Sequence, residues 1–214
     1  MHAYQKEFIQ LALSHQVLKF GQFTLKSGRN SPYFFNMGLF NRGQSLSLLG
    51  EYYLQTIQHA RIDFTQLFGP AYKGIPLVSS VAIAYARLAA TDLPYSFNRK
   101  EAKAHGEGGL IVGAPLSGRV LIIDDVMTAG TAVREAIQWV ADAGAQLAGI
   151  VVALDRQEKG LGSLSAVQEI QQHYQVPVES IINLENLIDY MREDKQFSQT
   201  VLSDLLLYRE QYGV

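Results

Sequence analysis

Residues 120–132 read VLIIDDVMTAGTA: an apolar, β-branched run that stops at Asp124 and Asp125, a short loop of Thr and Gly, and then a helical pattern. A run of this kind bounded by polar residues belongs to a strand buried on both faces, and such strands occur in parallel sheets covered by helices. The two carboxylates therefore fall at the carboxyl end of a strand, where open α/β sheets bind ligands. Beyond them, Thr128, Ala129, Gly130 and Thr131 supply backbone N–H groups, two hydroxyls and one unrestricted backbone position at a helix start, which together suit an anion such as phosphate. Carboxylates repel that anion, so Asp124 and Asp125 are better suited to accept hydrogen bonds from sugar hydroxyls or to steer a cation. A phosphorylated sugar satisfies both halves. A strand end with merely solvated acids is the plainer alternative. The metal strand of a nucleotide hydrolase is excluded, because no lysine follows a glycine in the G-x-x-x-x-G-K-[ST] pattern and Lys26-Ser27 follows Leu25.

The 214 residues suit one α/β domain, with residues 1–42 contributing a small hood. Eighteen basic against twenty acidic residues leave a net charge of −2, which offers no general field for nucleic acid or an anionic membrane. With no cysteine, disulfides, thiolate metal sites and a cysteine nucleophile are excluded, and a cytoplasmic setting is expected. The five histidines lack metal-ligand spacing, and no apolar run approaches membrane-spanning length.

The N-terminus reads as an amphipathic helix with Tyr4, Phe8, Leu11 and His15 on one face. Residues 17–42 alternate short apolar runs with Gly, Asn and Pro, which predicts a hairpin or irregular strands outside the main sheet. Helices are expected near 44–60, 164–174, 184–192 and 197–210, and strands near 65–68, 94–98, 147–154 and 178–182. Another helix follows the 65–68 strand, with the stripe Val78, Val81, Tyr85 and Leu88; the helix after the motif strand buries Ala132, Val133, Ala136, Ile137 and Val140 and ends at Gly144. Residues 99–109, nearly without apolar side chains, read as a mobile loop.

Three further segments carry polar chemistry. Tyr72-Lys73-Gly74 lies between a strand end and a helix start, where N–H groups and the Lys73 charge suit a pyrophosphate, although an ordinary surface turn reads the same way. Arg99, Lys100, Lys103 and His105 crowd potential cations ahead of Gly106, Gly108 and Gly109, as a closing lid or a solvated loop. Phe34 and Phe35 are either core or, since strand neighbours face opposite ways, one core ring and one ring for a flat base. Arg156, just past a strand, has the fork suited to a carboxylate or is a surface arginine.

The motif IIDDVMTAGTA closely resembles the phosphoribosyl pyrophosphate (PRPP) loop of type I phosphoribosyltransferases, and KSGRNSPYFFN with the cationic segment is similar to the orotate phosphoribosyltransferases within that family. The resemblance implies a mostly parallel sheet flanked by helices with an N-terminal hood, and transfer of phosphoribose from PRPP to orotate with Mg²⁺. It places Tyr72, Lys73, Arg99, Lys100, Lys103, His105 and the motif residues Asp124, Asp125, Val126, Met127, Thr128, Ala129, Gly130, Thr131 and Ala132 around PRPP. Lys26, Phe34, Phe35, Thr128 and Arg156 fall around orotate. Lys73, Lys103, His105 and Asp125 carry the catalytic roles, with Lys103 or His105 assisting departure of pyrophosphate, and Asp124 and Asp125 meet the metal indirectly. A homodimer with shared active sites is implied in the same way. A purine salvage transferase of the same fold and a PRPP-sensing regulator are the rival readings; neither needs both the hood and the cationic lid, and no helix-turn-helix or basic patch supports a sensor.

Overall fold

The computed structural model describes the chain apart from Lys26, Ser27, 104–108, 128–130, Leu161, Lys195 and Gln196, and apart from the side chains of Ala102 and Lys103. Its main sheet has six strands, β3 (Gln66–Gly69), β4 (Tyr95–Lys103), β5 (Gly109–Gly113), β6 (Arg119–Met127), β7 (Gln146–Asp155) and β8 (Val178–Asn183), in the order β5-β4-β3-β6-β7-β8. All neighbours are parallel except β4 and β5. Helices α1 (Ala3–Ser14), α2 (Gly43–Ala60), α3 (Gly74–Leu88), α4 (Thr131–Asp142), α5 (Ala166–Tyr174), α6 (Leu184–Glu193) and α7 (Gln199–Tyr212) cover it.

The apolar run of the motif strand is buried on both faces, as its composition requires. Leu121 and Ile123 join one core with residues of α1, α2, α3, α6 and α7, while Val120 and Ile122 join a second core with α4 and α5. The period of two along a strand produces this division. Removing any one of these fully buried side chains from water contributes roughly 1.5–3 kcal/mol.

The chain leaves β3 through α3 towards β4 on one side and leaves β6 through α4 towards β7 on the other. The connections therefore diverge between β3 and β6, and a crevice opens beyond the carboxyl ends of those two strands, the usual ligand position in an open α/β sheet. A close approach forms one wall of it. A Cβ on Gly69 would lie 2.2 Å from the Gly74 carbonyl oxygen, and one on Gly74 would lie 2.7 Å from the Gly69 carbonyl carbon, so both positions exclude a side chain.

The hood is a separate two-stranded antiparallel sheet, β1 (Leu18–Thr24) with β2 (Asn30–Phe35), as the sequence predicts. Three expectations are corrected. Segment 99–109 is not all loop: Arg99, Lys100 and the backbone of Lys103 belong to β4, which pairs with β5, a strand the sequence did not announce. Of the two, only β5 is an edge strand, with β4 between it and β3; β5 offers just Leu110, Ile111 and Val112 between glycines, a run too short to mark a strand, and the end of β4 from Arg99 onwards is polar. Leu88 is exposed at the end of α3, while Val78, Val81 and Tyr85 are buried. Ala132 is exposed on α4, whereas Trp139, absent from the predicted stripe, packs edge-on to Phe68 at 6.1 Å between ring centres. The helix does stop ahead of Gly144, whose φ of +71° is the left-handed conformation glycine adopts most easily.

Candidate active site

The acidic pair does not end its strand, because β6 continues to Met127, which pairs with Asp155. Its neighbour β3 is shorter, with Phe68 opposite Ile122 and the strand finishing at Gly69. Asp124 and Asp125 therefore overhang the turn 70–73. From that turn the Lys73 ammonium reaches Asp125 Oδ2 at 2.5 Å, joining the two predicted phosphate and ribose elements across the crevice. Lys73 is half exposed and Asp125 mostly covered, so the pair lies at the mouth of the site.

Asp124 is more enclosed, at 9 % exposure. Its Oδ1 accepts from the Asp125 amide at 2.9 Å, and its main-chain carbonyl accepts from the Tyr53 hydroxyl at 2.6 Å. Burial, and then repulsion from Asp125, push the Asp124 carboxyl from 3.8 up to about 7, against the opposing pull of the Asp125 amide and Lys73. An acid held near neutrality can change protonation when a ligand brings charge nearby.

The turn itself is pinned from β4. Asn98, almost fully buried, accepts from the Ala71 amide through Oδ1 at 2.7 Å and donates through Nδ2 to the Arg99 carbonyl. The Lys100 ammonium lies 5.0 Å from the centre of the exposed Tyr72 ring. Contacts thus join Lys73 to Asp125 and Lys100 to Tyr72, with Arg99 beside Lys100 on β4.

The remaining motif residues divide. Thr131 is the exposed first residue of α4 and Ala132 is exposed next to it, so both are open to a ligand. Val126 packs partly against the first core. The Met127 side chain is buried in the second core, so the faces exchange at the end of β6 and only the backbone of Met127 can face a ligand. Thr128, Ala129, Gly130, Lys26 and His105 lie outside the described residues, as does the side chain of Lys103.

On the hood, Phe34 and Phe35 separate as strand neighbours must. Phe35 packs towards Phe8 in the core, while Phe34 is 39 % exposed and stacks on Phe23 with ring centres 5.5 Å apart. Arg156 is not a surface residue: it is 6 % exposed, donates from Nε to Glu158 at 2.6 Å, and lies 4.2 Å above the Tyr33 ring. Burial disfavours its charge, but Tyr33 and Glu158 more than offset that and raise its pKa.

Sequence reading missed Tyr53, Asn98, Ser31, Glu158 and Tyr208. Only Ser31 stands in a quoted motif, KSGRNSPYFFN, and each acts through a contact more than twenty-five residues away in sequence. The one available signal was the acid two residues after Arg156.

Residues 39–180 match the model of the phosphoribosyl transferase domain. An orotate phosphoribosyltransferase of Hahella chejuensis is 56 % identical over 214 residues, covering 100 % of this chain and 99 % of that one. The chain belongs to the orotate phosphoribosyltransferase family. Its relative in Pseudomonas aeruginosa is 55 % identical over the full length of both chains. The crystal structure of the Francisella tularensis member superposes with a TM-score of 0.89 at 45 % identity, covering 97 % of this chain and all of that one. An adenine phosphoribosyltransferase of Leishmania donovani, at 16 % identity and a TM-score of 0.58, shares the fold alone. Membership of the family agrees with the expected mostly parallel sheet, its flanking helices and its hood. No helix of the described residues is long and apolar enough to cross a membrane.

Proposed function

We propose that the crevice over β3 and β6 binds PRPP, and that the hood and Arg156 take orotate, giving orotidine 5′-monophosphate and pyrophosphate. The Lys73–Asp125 pair carries this reading, because it brings a pyrophosphate-binding turn and a ribose-binding acid to one gap in the sheet. A ring nitrogen of orotate bonds to the anomeric carbon as the bond from that carbon to the pyrophosphate oxygen breaks, and the nitrogen loses its proton. Positive charge grows on the ribose, so catalysis consists of positioning and charge stabilisation. Asp124 and Asp125 hold the ribose hydroxyls and oppose that charge. Lys73, Arg99, Lys100, Lys103 and His105 face the departing diphosphate, with Lys103 or His105 placing a proton on it. Phe34 covers the base, and the Arg156 fork takes its carboxylate.

Mg²⁺ fits this donor set. Among the described residues no three His, Asp or Glu side chains gather into a metal cage, and Mg²⁺ is commonly held by one or two carboxylates with phosphate and water completing its shell. Asp124 and Asp125 offer that number, and the ion when bound supplies charge neutralisation to the diphosphate.

The same reading includes a homodimer in which Lys103 and His105 serve the partner's site, and a cytoplasmic setting in keeping with a cysteine-free chain. Mixing inactive Lys103→Ala and Asp125→Asn chains tests the shared site: returning turnover supports it, and none overturns it. For the reaction, purified protein is mixed with PRPP, Mg²⁺ and orotate, uracil or hypoxanthine, and pyrophosphate release is followed. Release with orotate is expected; release with hypoxanthine instead overturns the proposal, as does tight PRPP binding without turnover.

A further inference from the structure

Arg156 is held by several partners at once. Of its guanidinium nitrogens, Nε donates to Glu158 Oε1, while Nη2 donates to Ser31 Oγ at 3.0 Å and to the Tyr208 hydroxyl at 3.4 Å. The Tyr33 ring supports the guanidinium plane from beneath. Nη1 makes no hydrogen bond among the described residues, which leaves one edge of the fork unused.

Both hydroxyls are themselves fixed in direction. Ser31 Oγ donates to the Tyr33 carbonyl at 2.8 Å, and the Tyr208 hydroxyl donates to Glu158 Oε1 at 2.8 Å. A hydroxyl has one proton to give, so each can only accept from Arg156. The two relays come from different parts of the fold, Ser31 from β2 of the hood and Tyr208 from α7, and they converge on a single nitrogen. Rotating the guanidinium breaks both at once.

We propose that Tyr208 and Ser31 are positioning residues that aim the free Nη1 edge of Arg156 at the carboxylate of the pyrimidine, so that α7, remote from the PRPP crevice in sequence, sets the preference for a carboxylated base. This rests on the reading of Arg156 as the carboxylate contact. Only the base half of the reaction depends on the relay, because neither hydroxyl contacts the turn 70–73 or the acidic pair.

Steady-state kinetics with orotate, PRPP and uracil test the proposal in Tyr208→Phe, Ser31→Ala, Ser31→Thr and Arg156→Lys, with thermal melting alongside. Tyr208→Phe and Ser31→Ala are each expected to raise KM for orotate about five- to tenfold, the size of a hydrogen bond to a charged group, with kcat and KM for PRPP within about twofold. The orotate-over-uracil ratio of kcat/KM falls with them, a change that mere loosening of the fold does not produce. Ser31→Thr, which keeps the hydroxyl, retains the parent KM. If Arg156→Lys raises KM for orotate while Tyr208→Phe and Ser31→Ala leave it unmoved, or shift both substrates equally, the positioning role is wrong although the carboxylate contact stands. If Arg156→Lys itself leaves KM unchanged, the underlying reading fails, and the relay with it.

Discussion

The Lys73 ammonium and the Asp125 carboxylate meet at 2.5 Å across the gap between β3 and β6, one on the turn that follows the shorter strand and one on the overhang of the longer. On the proposed function, substrate enters between them. The pair is partly exposed, so it contributes no more than about 1 kcal/mol to folding. Asp125→Asn is therefore expected to melt close to the parent while turnover falls about a hundredfold, and Lys73→Gln to raise KM for PRPP about tenfold, both within the range of lost charge contacts in an active site. A large drop in melting temperature for either variant would assign the pair to the fold instead.

Asp124 gives the ligand-free protein a characteristic pH dependence. The native state keeps its proton up to about pH 7, whereas the unfolded chain releases it near 3.8, so the native state binds more protons in between. Stability consequently falls as pH rises through that window and is level above it, with a ceiling of about 4 kcal/mol for the full shift. Asp124→Asn should match the parent in urea midpoint at pH 4, exceed it at pH 8, and lose most of its turnover. Parallel midpoint curves for the two proteins would show that Asp124 is ionised throughout.

Asn98 holds the turn through the Ala71 amide, besides its bond to the Arg99 carbonyl. Replacing it with alanine strands a backbone donor that the rest of the turn does not satisfy, at a cost of about 1–3 kcal/mol. Since that turn carries Tyr72 and Lys73, KM for PRPP should rise with the loss of stability while KM for orotate stays level. Unchanged kinetics in a destabilised variant would mean that the turn keeps its shape unaided.

The two hood phenylalanines should separate in experiment as they do in space. Phe35→Ala empties a partly buried position beside Phe8, and is expected to lower stability by roughly 2–4 kcal/mol with little selective effect on either substrate. Phe34→Ala removes an exposed ring and should cost under about 1 kcal/mol, yet raise KM for orotate severalfold. Equal stability losses, or no change in orotate kinetics, would contradict the assignment.

The most legible features in the sequence were those governed by a short period. The run 120–123 announced a doubly buried strand because its pattern is local, and Gly144 announced a helix end because its backbone conformation is. The hairpin of β4 and β5 was hidden because β4 turns polar from Arg99 onwards and the apolar run of β5 is very short, so Arg99 and Lys100 looked like loop residues. The burial of Met127 was not legible, because simple alternation from Val120 and Ile122 puts it on the other face. Tyr53, Asn98 and Tyr208 were invisible for a related reason: each does its work through one polar atom on an element distant in sequence, and no spacing rule marks such an atom. Arg156 was visible by type, but its burial was not.

Strand β6 interlocks two separately packed halves, since Leu121 and Ile123 plug into one and Val120 and Ile122 into the other. The acidic pair Asp124 and Asp125 is thus mounted on the seam where the halves are stitched together. Neither half can swing away without dragging that seam with it, so heat should abolish chemistry and architecture in the same step, leaving no tepid, intact, idle form of the enzyme in between.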